Sequence, residues 1–276
     1  MSKVWFLTGC SKGLGKELVH ELLKQNYCVA ACSRNKQSLI KEFGEESEMF
    51  LPLEANPAVE SEITDAIART VSKFKRIDCV VNNAGYTHLG ILEELSDRAA
   101  RDLFNVNVFG TLNVIRSILP IMRRQRSGHI FNVSSLGAYN TGPMAGIYCA
   151  SKHALLAISE TLAMETEEFG IRVTDVEPGF MRTDFLNTSM KSTSYENSAY
   201  QRVIRETIDF YQGQDGKQAI DPKKAAEQII AVSESEHPVF RLPLGHDAYS
   251  GIMLVAGQIR KDLESLDESI YSVEFE

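Results

Sequence analysis

The sequence predicts an α/β protein built on one doubly wound parallel sheet with helices on both faces. Three observations carry that expectation. Short apolar runs recur from Val4 to Val176 without the in-and-out alternation of half-exposed strands, as strands buried on both faces require. Stretches with apolar residues three and four apart separate these runs, so strand and helix alternate. The glycine-rich turn from Thr8 to Gly15 follows the first run directly and opens the first helical pattern.

The elements follow in order. Lys3–Thr8 is the first strand, carried by Val4-Trp5-Phe6-Leu7, and Leu14–Asn26 the first helix, with Leu14, Leu18 and Leu22 four apart on one face. Tyr27–Ser33, Glu48–Leu53 and Cys79–Asn82 read as the next strands, with helices at Asn35–Phe43 and Ala58–Phe74 between them. A long helical region runs from Asp97 to Arg126, then a strand at His129–Ser134, a helix at Ala145–Phe169 and a strand at Arg172–Val176. Pro222–Val232 is expected to be helical and Val239–Leu242 a last short strand. No linker, repeat or low-complexity segment divides residues 1–276, so one domain is expected. Within it, an acidic tail is expected at about 261–276. Asn187–Asn197, rich in Ser, Thr and Asn, is the one loop long enough for a lid.

Bulk properties exclude several classes. The formal net charge of -8 opposes a nucleic-acid partner, which calls for a basic face, and the basic run Met122–Arg126 is simply a charged helix end. Five cysteines, an odd number without C-x-x-C spacing, read as reduced thiols of a cytoplasmic protein rather than a disulfide or metal framework. No apolar run approaches membrane-spanning length. Leu7-Thr8-Gly9-Cys10 has the form of a lipoprotein cleavage box, but only Val4 to Leu7 stand where a signal peptide needs a longer apolar region, so the chain is expected to begin inside its fold.

The turn itself admits several readings. Gly9-Cys10-Ser11-Lys12-Gly13 fits the G-x-S-x-G elbow of a serine hydrolase, which belongs in mid-sheet and needs a histidine base. Here it lies on the first strand, and none of His20, His88, His129, His153, His237 and His246 sits where a triad base is marked. Aligned as a P-loop ending at Gly15-Lys16, the stretch offers Glu17 where a magnesium-binding hydroxyl belongs. What remains is T-G-x-x-x-G-x-G between strand and helix, whose glycines allow a pyrophosphate to approach the helix N-terminus.

The chemistry lies further along. Tyr148 and Lys152, four apart, share a helix face, and an ammonium beside a phenol is expected to lower its pKa toward that of a usable base. Ser135 precedes them at a strand end. With Asn82-Asn83-Ala84-Gly85, Asn107-Val108-Phe109-Gly110, Ser134-Ser135, Tyr148 to Lys152 and Pro178-Gly179-Phe180-Met181-Arg182-Thr183, the chain resembles the short-chain dehydrogenase/reductase family from Lys3 to about Thr183, and more weakly to about Leu244. The resemblance implies a Rossmann-type fold and a nicotinamide cofactor. It makes Tyr148 the general acid/base, Lys152 the group that lowers its pKa and holds the nicotinamide ribose, Ser135 the hydrogen-bond partner of the substrate oxygen, and Asn107 the anchor of a proton relay. Gly9, Ser11, Lys12, Gly13, Leu14 and Gly15 would bind the cofactor phosphates, Asn83 would line its adenosine side, and Pro178, Gly179, Met181 and Thr183 would hold the nicotinamide end.

The second strand ends in Ser33-Arg34 with no carboxylate for a ribose 2′-hydroxyl; with Lys12, Arg34 suits a 2′-phosphate, so NADP(H) is expected over NAD(H). Glu54 stands where the family has an aspartate contacting adenine. The resemblance implies a substrate-binding loop and helix at about 184–215, with Tyr139 and Met144 as candidate substrate walls and Met190, Tyr195, Tyr200 and Phe210 as a candidate apolar lid. Arg241-Leu242-Pro243-Leu244-Gly245 is similar to steroid, retinol and carbonyl-reducing members, which points to a small, fairly apolar carbonyl or alcohol substrate. The family implies homodimers or homotetramers through two long helices, here about Leu103–Arg124 and Ala145–Phe169. Two alternatives are a non-catalytic NADP(H) sensor on the same fold and, more weakly, a serine hydrolase using Ser11. No metal and no membrane partner are expected.

Overall fold

The computed structural model describes residues 2–183, 190–192 and 199–275, with the side chains of 190–192 left aside. Nine strands occur among these residues: β1 (Val4–Leu7), β2 (Cys28–Ser33), β3 (Phe50–Glu54), β4 (Cys79–Asn82), β5 (Thr87–Leu89), β6 (Gly128–Val133), β7 (Ile171–Pro178), β8 (Met190–Ser192) and β9 (Arg241–Leu244). Seven form one sheet in the order β3-β2-β1-β4-β6-β7-β9, parallel throughout. This is the doubly wound α/β fold that the strand–helix alternation predicts. The winding reverses between β1 and β4, so the connections leaving their carboxyl ends part and leave a crevice.

The helices are α1 (Gly13–Lys24), α2 (Lys36–Phe43), α3 (Glu60–Phe74), α4 (Asp97–Phe104), α5 (Gly110–Gln125), α6 (Gly146–Thr166), α7 (Gln201–Gln214), α8 (Pro222–Ser233), α9 (His246–Glu264) and α10 (Glu268–Tyr271). Both sheet faces are covered, and β1 shows why its run has no polar position. Trp5 and Leu7 pack with Leu18 and Leu22 of α1, Ile229 of α8 and Phe131 of β6. Val4 and Phe6 point the other way, to Ile63 and Ile67 of α3, Ile118 of α5 and Leu162 of α6. Trp5 stacks on Phe131 with ring centres 5.9 Å apart.

Departures from expectation are local. The long region Asp97–Arg126 is two helices joined by a π-helical turn, Asn105–Phe109. Its extra residue cannot be read from apolar spacing, because both flanking helices keep their own period. The pair β5–β8 forms a separate two-stranded parallel sheet from segments too short to register as strands. α7 lies within the loop and helix expected at about 184–215, whereas α9 is an additional helix; neither buries a continuous apolar stripe, for α7 buries Ile204 alone, while α9 buries Ala248 and leaves Met253, Leu254, Ile259 and Leu263 exposed. The proposed lid Asn187–Asn197 falls almost wholly outside the described residues, as do Tyr195 and the side chain of Met190. The tail from Lys261 is the exposed end of α9 followed by the short α10. All five cysteines are free thiols. Among the described residues no helix is long and apolar enough to cross a membrane, and no cluster of His, Cys, Asp and Glu is arranged to hold a metal.

Phe131 joins β6 to the Trp5 face without solvent exposure. Phe131→Ala should therefore cost about 3–5 kcal/mol in urea unfolding at an unchanged m-value. A loss below about 1 kcal/mol, within the range of ordinary surface substitutions, would contradict this packing role.

Candidate active site

The carboxyl ends of β1 and β4 are tied together at the crevice. Thr8 N–H donates to the Val81 carbonyl at 3.1 Å, while its hydroxyl accepts from the Asn83 and Ala84 N–H groups at 3.2 Å each. The Asn83 side chain returns the link, donating Nδ2 to the carbonyls of Thr8 at 3.2 Å and Gly9 at 2.9 Å. Gly9 has φ +71° and lies so close to this strand end that a Cβ would come within 2.9 Å of Ala84 Cα. At Gly15 a Cβ would collide with the Gly9 carbonyl oxygen, so this glycine seats α1 on the turn rather than facing the crevice. The side chain of Lys12, the residue before α1, makes no capping hydrogen bond to that helix, and Gly13 and Leu14 border the crevice. The first N–H groups of that helix thus open toward it, a setting that fits an anionic pyrophosphate.

From this point a cleft of about 510 Å³ runs along the carboxyl edge of the sheet. Gly9, Ser11, Lys12, Gly13 and Leu14 line one end, joined by Ser33 and Arg34 beyond β2. Asn83 lines the middle, and Ser135, Tyr148 and Lys152 the far end, facing Pro178, Gly179, Met181 and Thr183 across it. Its length along the sheet edge and its glycine-formed turn fit a dinucleotide.

Several expected residues lie elsewhere. Glu54 is exposed outside the cleft, its carboxylate accepting from Lys36 N–H at 3.3 Å; the chain turns after β3 so that Ala55 and Asn56 form the wall instead. Tyr139 does not line the cleft; its hydroxyl bonds with the Glu177 carboxylate and the Arg241 guanidinium. Met144 does not line the cleft; it is buried with Ile204 against Leu89 and Cys149, which line the wall with its neighbour Ala145. Of the lid candidates, Phe210 reaches the cleft with Tyr211, its ring edge-on to Phe180 at 5.9 Å. Tyr200 instead bonds Glu93 on the outside.

At the far end the Tyr148 hydroxyl is hydrogen-bonded with Ser135, and Ser135 Oγ also accepts from Gly137 N–H at 3.0 Å. That second bond occupies a lone pair, leaving the serine hydrogen to donate. Lys152 donates to the Val133 carbonyl at 2.8 Å, with its Nζ 5.8 Å from the centre of the Tyr148 ring. Burial pushes Tyr148 up to about 12, opposed by the Ser135 hydrogen bond. The lowering expected from Lys152 does not appear: the ammonium is held at a backbone carbonyl, and burial brings Lys152 itself down to about 8. Asp175 works against that fall through its negative charge.

Asn107 lies behind the cleft wall, in the π turn, and is 1% exposed. It donates Nδ2 to the Tyr86 carbonyl and to Ser151 Oγ, both at 3.0 Å, and accepts from Tyr86 N–H at 3.1 Å. Gly85 sits between Asn107 and Lys152: a Cβ there would lie 3.3 Å from Asn107 Oδ1 and 3.5 Å from Lys152 Nζ.

Sequence reasoning missed two buried carboxyls under the site. Asp175 accepts from Ser134 and, at 2.8 Å, from Ser159; burial raises it to about 7. Glu177, just before Pro178, accepts from Tyr139 and Arg241, and Arg241 also pairs with Glu160. The one available signal was two acids inside an otherwise apolar strand, Thr174-Asp175-Val176-Glu177.

The fold defines a nucleotide-binding Rossmann scaffold, with Ser135, Tyr148 and Lys152 together at one end of its cleft. A short chain dehydrogenase family model matches residues 3–194. The chain is 32% identical over 271 residues to oxidoreductase BOA17 of Botryotinia fuckeliana, covering 97% of this chain and 96% of that one. A crystal structure of a short-chain dehydrogenase from Streptomyces avermitilis superposes with a TM-score of 0.90 at 31% identity, covering 100% and 99% of the two chains. Two structures at 24% identity share the fold: ElxO with NADP bound (TM-score 0.74; 91% and 100% covered) and a Brucella melitensis 3-ketoacyl-(acyl-carrier-protein) reductase complexed with NADH (TM-score 0.73; 87% and 96%). The chain belongs to the short-chain dehydrogenase/reductase family, an oxidoreductase family.

Arg241 is the partly exposed partner of the fully buried Glu177. Arg241→Met should lower stability by about 1–3 kcal/mol, since the carboxylate loses its counter-charge. Adding Glu177→Gln to that variant should recover most of the loss in urea unfolding, and a double variant no more stable than Arg241→Met would sink this account of the pair.

Proposed function

We propose that the chain is an NADP(H)-dependent oxidoreductase moving a hydride between nicotinamide and a carbonyl or secondary alcohol. The substrate is a fairly apolar ketone, aldehyde, or steroid- or retinoid-like molecule. One observation carries the reading: Ser135, Tyr148 and Lys152 converge at one end of a cleft whose other end is the glycine turn and the N-terminus of α1. The cofactor, when bound, supplies the hydride at its nicotinamide ring. The protein does the rest. The N–H groups at the start of α1, with Ser11, receive the pyrophosphate, Asn83 lines the adenosine side, and Pro178, Gly179, Met181 and Thr183 hold the nicotinamide end. Ser135 donates its hydroxyl hydrogen to the substrate oxygen. Tyr148 gives its proton to that oxygen in reduction and takes it back in oxidation. Lys152 holds the nicotinamide ribose and places positive charge beside the phenolate as it forms, and Asn107, across Gly85, anchors the supply of protons to Lys152.

Lys12 and Arg34 both border the cleft at the adenosine end, and this pair of cations favours a 2′-phosphate and hence NADP(H). Leu89, Ala145, Phe180, Phe210 and Tyr211 give the reacting end an apolar wall suited to the proposed substrates. Phe109 and Met164 stand exposed beside α5 and on α6, in keeping with a homodimer or homotetramer assembled through those helices. The reading is of one domain, and free thiols accord with a cytoplasmic setting.

A panel of ketones, aldehydes, quinones and steroids, assayed with NADPH and NADH, tests the proposal. Tyr148→Phe should reduce kcat by a factor of about 10² to 10⁴ while NADPH still binds. Arg34→Asp should shift the NADPH/NADH preference toward NADH by about tenfold or more, the loss of one charge-assisted phosphate bond. An unchanged preference would refute the role given to Arg34.

The pH dependence follows from Lys152. Its ammonium is lost as pH rises through about 8, well before Tyr148 titrates near 12. Reductive kcat/KM should therefore be flat at neutral pH and fall above about 8. The Asp175 charge holds Lys152 up, so Asp175→Asn should move that falling limb to lower pH. A limb that stays in place in this variant would show that the two groups are not coupled.

A further inference from the structure

Five buried side-chain polar atoms among the described residues lack a hydrogen-bond partner: Trp5 Nε1, Asn82 Oδ1, Glu177 Oε2, and both Nε2 and Oε1 of Gln218. Gln218 differs from the other three residues in two ways. Both polar atoms of its amide are unmatched, and it alone of the four borders the cleft. It is 2% exposed. Its backbone is pinned on the far side: the Gln218 carbonyl accepts from Arg182 Nε at 3.0 Å, and two residues on Ile220 forms a parallel bridge with Met181, accepting from Arg182 N–H at 2.9 Å. The segment therefore holds the amide at the cleft wall rather than letting it turn out to water. Its cleft neighbours Phe180 and Phe210 present aromatic rings in edge contact.

A buried primary amide with no partner is costly, because it has lost water and gained nothing in exchange. A fold retains such a group where the missing partner arrives from outside. We infer that Gln218 is a ligand-recognition residue, whose amide pairs with a group that presents an acceptor and a donor side by side. A primary amide, a carboxylic acid or a hydroxyl meets that description. Resting on the oxidoreductase reading above, this leaves two sources for the group: the amide of the nicotinamide cofactor, or a second polar group on the substrate, remote from the reacting carbon.

The test uses the full chain with Gln218→Leu, which keeps bulk and removes both polar atoms, and Gln218→Glu, which keeps an acceptor and loses the donors. Three quantities are measured. They are the thermal midpoint without ligand, the Kd for NADPH from its fluorescence in the absence of substrate, and KM for paired ketones with and without a second hydroxyl or amide. Without ligand, Gln218→Leu should melt at the wild-type temperature or above it, since an unpaired buried amide has been removed. If the cofactor is the partner, the Kd for NADPH should rise about fivefold or more in both variants. If the substrate is the partner, that Kd should hold while KM rises about fivefold or more for the doubly polar ketone alone. The inference is overturned if Kd and both KM values stay within about twofold of wild type. It is equally overturned if the ligand-free midpoint of Gln218→Leu falls by about 4 °C or more, which would mean that the amide is bonded within the protein. A wild-type chain that does not bind NADPH counts against the oxidoreductase reading instead.

Discussion

A parallel sheet covered on both faces leaves polar chemistry only one convenient place, the rim where its strands end. Every strand from β1 to β7 in the main sheet is closed off above and below by α1 and α8 or by α3, α5 and α6. The residues that meet in the cleft accordingly sit just past strand ends: Gly9 after β1, Ser33 and Arg34 at the end of β2, Asn83 after β4, Ser135 after β6 and Gly179 after β7. Because all seven strands run the same way, those ends share one edge. The winding reversal between β1 and β4 then opens that edge where the glycine turn lies.

Beneath the rim is a polar layer that the apolar faces do not require. Asn82 donates to Asn132 at 2.8 Å, Asn132 to Ser159 at 2.9 Å, and Ser159 to Asp175 at 2.8 Å, while Asp175 also receives Ser134. The chain of bonds joins β4, β6, α6 and β7 directly below Ser135 and Lys152. An apolar layer could slide by a fraction of an ångström at little cost; bonded side chains with fixed directions resist such slippage. The registers on which Ser135, Tyr148 and Lys152 depend are therefore held by directional contacts as well as by packing.

Much of this was legible in the residues. The strands announced themselves because burial on both faces strips them of polar positions, and Tyr148 with Lys152 because helical spacing places them together. What stayed hidden depends on contacts distant in sequence. Nothing near Tyr139 shows that Glu177 and Arg241 will draw its hydroxyl away from the cleft. Met144 looked like a wall residue, yet the chain passes it with φ +62° and turns its side chain into the core. The direction of the Tyr148 shift was misjudged for a similar reason: spacing gives proximity to Lys152, but only the surroundings show how strongly burial opposes the phenolate. Gln218 gave no signal at all, since an isolated glutamine in a polar stretch looks like any surface residue.

The π turn at Asn105–Phe109 has a further consequence. It accommodates one residue more than an α-helix would use, and that residue sets the rotation of α4 relative to α5. Removing a single residue there would let a continuous α-helical ladder form, with better backbone bonding, but would swing Asn107 away from Tyr86 and Ser151. A shorter, more regular version of this helix is thus within reach of one codon deletion. In the longer form, the irregular turn aims Asn107 at the Tyr86 carbonyl and Ser151.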